Sequence, residues 1–279
     1  MANIALFSPG AMGASIGAAA VNRGHTVYWS PKNRSSESFR RADRAQLIAC
    51  DNEAEIFACT DIILSVCPPH LADAVADQAI RNTFSGLFLE GNAISPERTR
   101  TIAKKLSKLS INVVDGGIIG GPAWQSESNT KLYLSGPEAK SIQDLFSGSP
   151  LHTSILDDQL GSASALKMVF AAYSKGTTAL LASILAVANK QGVLNYLEDQ
   201  WGEKFTQQTI QRVTTNAAKA WRFSGEMREI SSTFENSGQP DGFHIAAAET
   251  FDRLKGFKDQ ATPELTELLT LLNKKPNEI

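Results

Sequence analysis

The chain is poor in cysteine and histidine, and neither is grouped. Its three cysteines, Cys50, Cys59 and Cys67, form no C-x-x-C pair, and an odd, scattered set suits a reducing cytoplasm. The four histidines, His25, His70, His152 and His244, are too widely spread to suggest a metal site by spacing. Positive charge is not in excess: the formal net charge is −2 and no Lys/Arg stripe appears, which argues against nucleic acid as a partner. Away from the N-terminus, the longest apolar stretch, 176–188, is shorter than the ~18 residues a membrane span needs. The apolar start MANIALFSPGAMGASIGAAA lacks a basic n-region, and Ser8-Pro9-Gly10 breaks it, so no signal peptide is expected. Repeats and low-complexity segments are absent as well. The expectation is a soluble, cytoplasmic protein with a small-molecule partner, and neither nucleic acid nor membrane.

What is present is an alternation. Strand-like runs recur at Asn3–Phe7, Thr26–Trp29, 61–66, 86–90, 112–117 and Lys131–Ser135, with helix-like segments at 13–23, 68–80 and 96–109 between them. That rhythm predicts a parallel sheet wound with helices on both faces. Gly24 suits a helix C-terminal cap, and Ser95-Pro96 reads as an N-cap followed by Pro in the first turn. From residue 158 onward the period-two pattern stops. A long apolar helix over 161–191 follows, then amphipathic segments near 203–223, 242–257 and 263–272. With 279 residues there is room for two domains: an α/β Rossmann-type, doubly wound domain over 1–156 and an all-helical domain over 157–279.

The first strand enters the turn Ser8-Pro9-Gly10-Ala11-Met12-Gly13. The dinucleotide fingerprint is G-x-G-x-x-G, but here Ser8 replaces the first glycine and the others fall at Gly10, Gly13 and Gly17. Gly10 and Gly13 can make the tight turn and the close approach to a pyrophosphate, and Gly17 can let the helix press on the sheet. A serine is tolerable at position 8 if its φ is negative. The phosphates would sit on the N–H groups of Ala11, Met12 and Gly13 at the positive helix end. The plain alternative is a tight strand–helix turn with no ligand.

The end of the second strand selects the cofactor. An NAD site usually has Asp or Glu there; this chain has Ser30-Pro31-Lys32-Asn33-Arg34-Ser35 and no acid until Glu37. A carboxylate would repel a 2′-phosphate, whereas Arg34 can fork onto it and Ser30, Asn33 and Ser35 can donate to it. NADP(H) is the expected cofactor, against a merely solvated basic loop.

Three further stretches resemble the β-hydroxyacid dehydrogenase superfamily, the relatives of 6-phosphogluconate dehydrogenase. Ser65-Val66-Cys67-Pro68-Pro69 resembles its cofactor-covering loop, which implies a cofactor role for Cys67 and Pro68. Asp115-Gly116-Gly117-Ile118-Ile119-Gly120-Gly121 resembles its substrate loop, D-A-P-V-S-G-G, which implies substrate contacts at Ile119, Gly120 and Gly121. Gly161-Ser162-Ala163-Ser164-Ala165-Leu166-Lys167 resembles the start of the interdomain helix that presents its catalytic lysine, here Lys167. LEGNAISPERT, which contains Asn92, and ALKMVFAAYSKG look more like a poorly characterised branch whose C-terminal domain has no assigned function; Asn92 is counted with the cofactor residues. Two departures concern the substrate: the family's Asn four residues after the lysine is Ala171, and the Ser of its substrate loop is Ile119.

On a regular helix Lys167, Phe170, Ala171, Ser174 and Thr178 share one face. Lys167 can act as a general acid and base, with Ser174 supplying the hydrogen bond of the missing Asn, or it can snorkel to the surface. The resemblance favours function. Lys175 reads as a solvent or interface charge, and residues 226–229 as a solvated helical face. His244 can close the substrate pocket or be structural, and Trp124 can line it or pack in the core. The expected function is NADP-dependent interconversion of alcohol and carbonyl by hydride transfer at an interdomain cleft. The alternatives are an imine reductase, against which a lysine at 167 counts, and a catalytically silent NADP-binding sensor or scaffold. Apolar surface in 179–188 and Leu265–Leu272 points to a homodimer through the C-terminal domain, as the resemblance also implies.

Overall fold

The computed structural model describes residues 1–274 and divides into two compact units, Met1–Met168 and the chain from Val169 onward. The division falls inside a helix, further along than the 156/157 boundary expected from the sequence.

The first unit is built on an eight-stranded sheet of β1 (Asn3–Phe7), β2 (Thr26–Trp29), β3 (Ile48–Ala49), β4 (Ile62–Ser65), β5 (Leu87–Glu90), β6 (Asn112–Ile119), β7 (Lys131–Ser135) and β8 (His152–Asp157). Its order is β3-β2-β1-β4-β5-β6-β7-β8, with the chain reversing its winding from β1 to β4. All neighbours pair in parallel except β6 and β7, which are antiparallel, so the wholly parallel sheet expected is interrupted there. The inner strands are apolar on both faces because helices cover both. Ile4, Leu6, Leu64 and Val114 enter one core; Ala5, Phe7, Ile63, Phe88 and Val113 enter the other.

The covering helices are α1 (Ala11–Val21), α2 (Ser36–Arg44), α3 (Glu53–Cys59), α4 (Ala72–Arg81), α5 (Pro96–Ser107) and α6 (Ala139–Leu145). Ser95 caps α5 by accepting from the Arg98 N–H, with Pro96 in its first turn, as the sequence predicts. Gly24, at φ +80°, closes α1 as the sequence predicts: its N–H donates to the Val21 carbonyl and the His25 N–H donates to the Ala20 carbonyl. Elements without an apolar period escape sequence reading. Helix α2 buries only Ala42 and is held by the Ser35 cap and by ion pairs of Glu37 with Arg40 and Arg41. Strand β3 has two exposed residues, and β8 is a largely exposed edge strand.

The helix α7 (Ser162–Ala171) is followed by a π-helical turn, Ala172–Gly176, and by α8 (Thr177–Lys190). Together they make a 29-residue run that is long and apolar enough, by length and composition alone, to cross a membrane. This corrects the reading of 176–188 as the longest such stretch; only Lys167, Lys175 and Lys190 interrupt the run, and the first two have partners inside the protein.

The second unit continues with α9 (Leu194–Trp201), α10 (Glu203–Ala217), α11 (Ala220–Asn236), α12 (Gly242–Arg253) and α13 (Leu265–Leu272). Its core includes Leu185, Phe223, Met227, Ile230, Phe251 and Leu268, with the Phe223 and Phe251 rings edge to face at 5.3 Å. The expected segment 203–223 is two helices, α10 and α11, and α9 buries no residue fully, which leaves it little apolar signature.

Candidate active site

In the first unit, the turn after β1 departs from the sequence reading in one respect. Ser8 has φ +77°, not a negative φ; it adopts the left-handed conformation that a glycine takes without cost. The turn is made by Ser8 and Pro9, with the Gly10 N–H donating to the Ser8 carbonyl at 2.8 Å. Arg41 of α2 steadies it, its Nε donating to the Pro9 carbonyl at 3.1 Å. Gly13 is obligatory because a Cβ there would stand 2.4 Å from the Ser8 carbonyl oxygen.

Gly10 is different. Its φ is −67° and a Cβ would meet nothing within 4 Å, so neither backbone nor packing demands glycine there. The open side of Gly10 leaves room for a ligand to approach the backbone closely. No side chain caps α1 and its first turn holds no acidic residue, an arrangement that suits an anion at the Ala11, Met12 and Gly13 amides.

The loop after β2 carries Ser30, Asn33, Arg34 and Ser35. Asn33 is in the left-handed region at φ +59°, which Asn tolerates better than most residues. Ser35 is the N-cap of α2: its Oγ accepts from the Ser38 N–H and also pairs with the Ser38 hydroxyl, so it has a structural duty that sequence reading missed. The Arg34 Nε is buried and has no hydrogen-bond partner. An orphaned guanidinium nitrogen is costly, and an anionic partner would satisfy it. Of the four, Arg34 therefore has an unmet need that an anionic group would fill.

The loops after β4 and β5 are tied together by Asn92. Its Oδ1 accepts from the Cys67 N–H at 2.5 Å and its Nδ2 donates to the Ser65 Oγ at 2.9 Å. Asn92 is buried and both ends of its amide are engaged, so it shapes the loop that carries Cys67 and Pro68. Burial, with the nearby Glu90, pushes the Cys67 thiol up to about 12.

Across β4, β5, β6 and β7 runs a row of polar residues in register: Ser65, Glu90, Asp115 and Ser135. All four are fully buried, on the sheet face that α5 covers. Asp115 holds the start of α7. Its Oδ2 accepts from the Gly161 and Ser164 N–H groups and the Ser135 hydroxyl, and its Oδ1 accepts from the Ser164 hydroxyl at 2.5 Å. Burial raises the Asp115 carboxyl, and these donors oppose the rise. Glu90 has far fewer donors; burial first, with the Asp115 charge adding, pushes it up to about 8.

Asp115 thereby fixes the helix that carries Lys167. Gly117 completes the placement, since a Cβ there would stand 2.4 Å from the Ala163 carbonyl oxygen and 3.4 Å from the Lys167 Cβ. The Lys167 Nζ donates to the Ile118 carbonyl at 2.6 Å. The expected substrate loop is in fact largely strand: β6 runs through Ile119, half-buried opposite Lys131, because the antiparallel pairing with β7 extends it. Gly120, at φ +127°, and Gly121 follow, with the Gly121 carbonyl accepting from the Thr130 hydroxyl. Trp124 lies under the Arg44 guanidinium at 4.1 Å.

Several expectations for the helical unit change. The π-helical turn breaks the 3.6-residue period on which a common face for Lys167, Ser174 and Thr178 was argued. Ser174 lies within that turn, and its carbonyl accepts from Arg212 and from the Thr178 hydroxyl. Lys175 is not a solvent charge: it is mostly buried and paired with Glu226, itself mostly buried rather than part of a solvated face. His244 is buried against Phe234, ring centroids 4.2 Å apart, and burial lowers its pKa.

A family model described as the NAD binding domain of 6-phosphogluconate dehydrogenase matches residues 3–146, just over half the chain. The chain belongs to that family. A second model, a domain of unknown function (DUF1932), matches residues 188–254. An uncharacterized 28.5 kDa protein of Methanothermus fervidus is 28% identical over 204 residues, covering 71% of this chain and 78% of that protein. A solved protein of unknown function, described as structurally similar to 3-hydroxyacid dehydrogenases, is 25% identical with a TM-score of 0.63, covering 91% of this chain and 97% of that one. Mycobacterium tuberculosis 3-hydroxyisobutyrate dehydrogenase shares the fold at TM-score 0.71 and 16% identity, covering 98% and 100% of the two chains. Family and fold give the chain an NAD-binding domain of Rossmann type followed by helices.

Proposed function

We propose that the protein is an NADP-dependent oxidoreductase that interconverts an alcohol and a carbonyl, with Lys167 as general acid and base. The observation that carries this reading is the placement of Lys167. Its helix is capped by a buried carboxylate, is packed through Gly117 onto β6, and holds the Nζ at the Ile118 carbonyl. When bound, the dinucleotide supplies or takes the hydride. The α1 amides hold its pyrophosphate, and Arg34 holds the 2′-phosphate with Ser30 and Asn33 beside it. Asn92 keeps Cys67 and Pro68 in the covering loop. Lys167 gives a proton to the carbonyl oxygen as negative charge builds there, and takes it back in the reverse direction. A lysine in this position favours carbonyl over imine chemistry.

Ile119 stands where the resemblance would put a hydroxyl that holds a small hydroxy acid, so the preferred substrates are bulkier or less polar than three- or four-carbon hydroxy acids. NADPH consumption over aldehydes, ketones, 2-oxo and 3-oxo acids and cyclic imines tests this. Larger apolar carbonyls should lead; efficient turnover of 3-hydroxyisobutyrate or tartronate semialdehyde contradicts the reading.

The helical unit exposes Tyr173, Leu180, Val187, Tyr196 and Phe243, more large apolar side chains than a small domain usually leaves to water. A second copy of the chain is the proposed cover. Light scattering should show a dimer at micromolar concentration, and a stable monomer contradicts it. The protein is proposed to work in the cytoplasm.

A further inference from the structure

The Glu90 carboxyl lies between the two structural devices of the site. On one side its Oε1 accepts from the Asn92 N–H at 3.0 Å, and Asn92 in turn holds Ser65 and Cys67. On the other side its register partner is Asp115, the cap of the Lys167 helix. It is fully buried, and its Oε2 has no hydrogen-bond partner. The charged or titratable groups that face it are Asp115 from β6, Arg98 from α5 and the Cys67 thiol from the loop after β4. Arg98 is also engaged by Asp73, at 2.6 Å.

We infer that Glu90 is a positioning residue that holds the loops after β4 and β5 in the form that receives the dinucleotide only while its carboxyl is protonated. A neutral carboxyl is compatible with a dry space beside the Asp115 charge. A carboxylate there would be a second buried negative charge, and it could be solvated only if the Asn92-linked loops opened to water. Binding is therefore linked to proton retention at Glu90, whose carboxyl burial pushes up to about 8.

The sign is definite. Protonation of Glu90 favours the folded, binding form below the ordinary glutamate range, and this contribution is lost as pH rises through about 8. If only the protonated form binds, the apparent Kd for NADPH rises about tenfold between pH 7 and pH 9. Cys67, at about 12, titrates too high to produce that change.

The inference rests on the dinucleotide reading of the first unit, and one titration separates the two. NADPH and NADH affinities are measured on the full chain by fluorescence from pH 6.5 to 9.5, for wild type and Glu90→Gln. The expected result is alkaline weakening in wild type, for both cofactors, that is absent in Glu90→Gln. Binding at pH 7 with an unchanged Kd up to pH 9.5 overturns the role of Glu90 and leaves the cofactor reading standing. No binding of either cofactor at any pH overturns both. Should Glu90→Gln fail to fold, Glu90→Asp, which keeps a titrating carboxyl, should retain the alkaline limb with a shifted midpoint; a flat profile in wild type or Glu90→Asp, or an unshifted midpoint, counts against the inference.

Discussion

Lys167→Ala is expected to lower turnover by roughly 10²–10⁴-fold, the usual worth of a positioned proton donor, while leaving NADPH affinity intact. Hydride arriving at a carbonyl carbon leaves negative charge on oxygen, which needs a donor within hydrogen-bond reach. Lys167 stands where the resemblance puts a catalytic lysine, and Asp115 and Gly117 hold its helix on β6. The Nζ is 2.6 Å from the Ile118 carbonyl, so the side chain is directed along the end of that strand. Lys167→Arg should rescue little, because a guanidinium keeps its proton and cannot return it. Cofactor affinity by fluorescence, set beside turnover on any accepted substrate, checks this. If turnover survives Lys167→Ala within a few-fold, the lysine only packs its stem and carries its charge to the surface.

The second large effect concerns cofactor choice. Arg34→Ala should weaken NADPH by about 10–100-fold, the equivalent of one lost charge-assisted bond of ~1.5–3 kcal/mol, and leave NADH nearly unchanged. Only the 2′-phosphate distinguishes the two cofactors, and the buried, unpartnered Arg34 Nε is the group suited to it. Because that nitrogen has no protein partner to abandon, the variant should fold as well as wild type. Equal losses for NADPH and NADH in paired titrations would remove Arg34 from the 2′-phosphate and return its loop to the solvent.

What could be read from the sequence was local. The strand–turn–helix around Gly10 and Gly13, the Ser95-Pro96 helix start and the strands from Asn3 to Ser135 other than β3 each carry their signal within a few residues. Ser8 shows the limit: side-chain chemistry favours a negative φ there, yet the turn over Gly13, steadied by Arg41 from α2, holds it at +77°. The polar row was invisible because Ser65, Glu90, Asp115 and Ser135 meet only through strand register. Asp115 was read as the first residue of a substrate loop, whereas it is the cap of the lysine helix. The Lys175–Glu226 pair is long-range in the same way, and two charged residues on apolar helices look solvated until the partner helix is known. Helix α2 failed for the opposite reason, being held by a cap and exposed ion pairs rather than by an apolar face.

The central claim is that this chain moves a hydride between NADP(H) and a carbonyl carbon. The most direct measurement supplies the protein with NADPH carrying two deuterium atoms at C4 of the nicotinamide and the best carbonyl of the panel, and reads the product by mass spectrometry. The predicted result is an alcohol carrying one deuterium at the former carbonyl carbon, formed faster with NADPH than with NADH. NADPH that binds tightly while no deuterium reaches any member of the panel would contradict the account and make the protein a silent dinucleotide sensor.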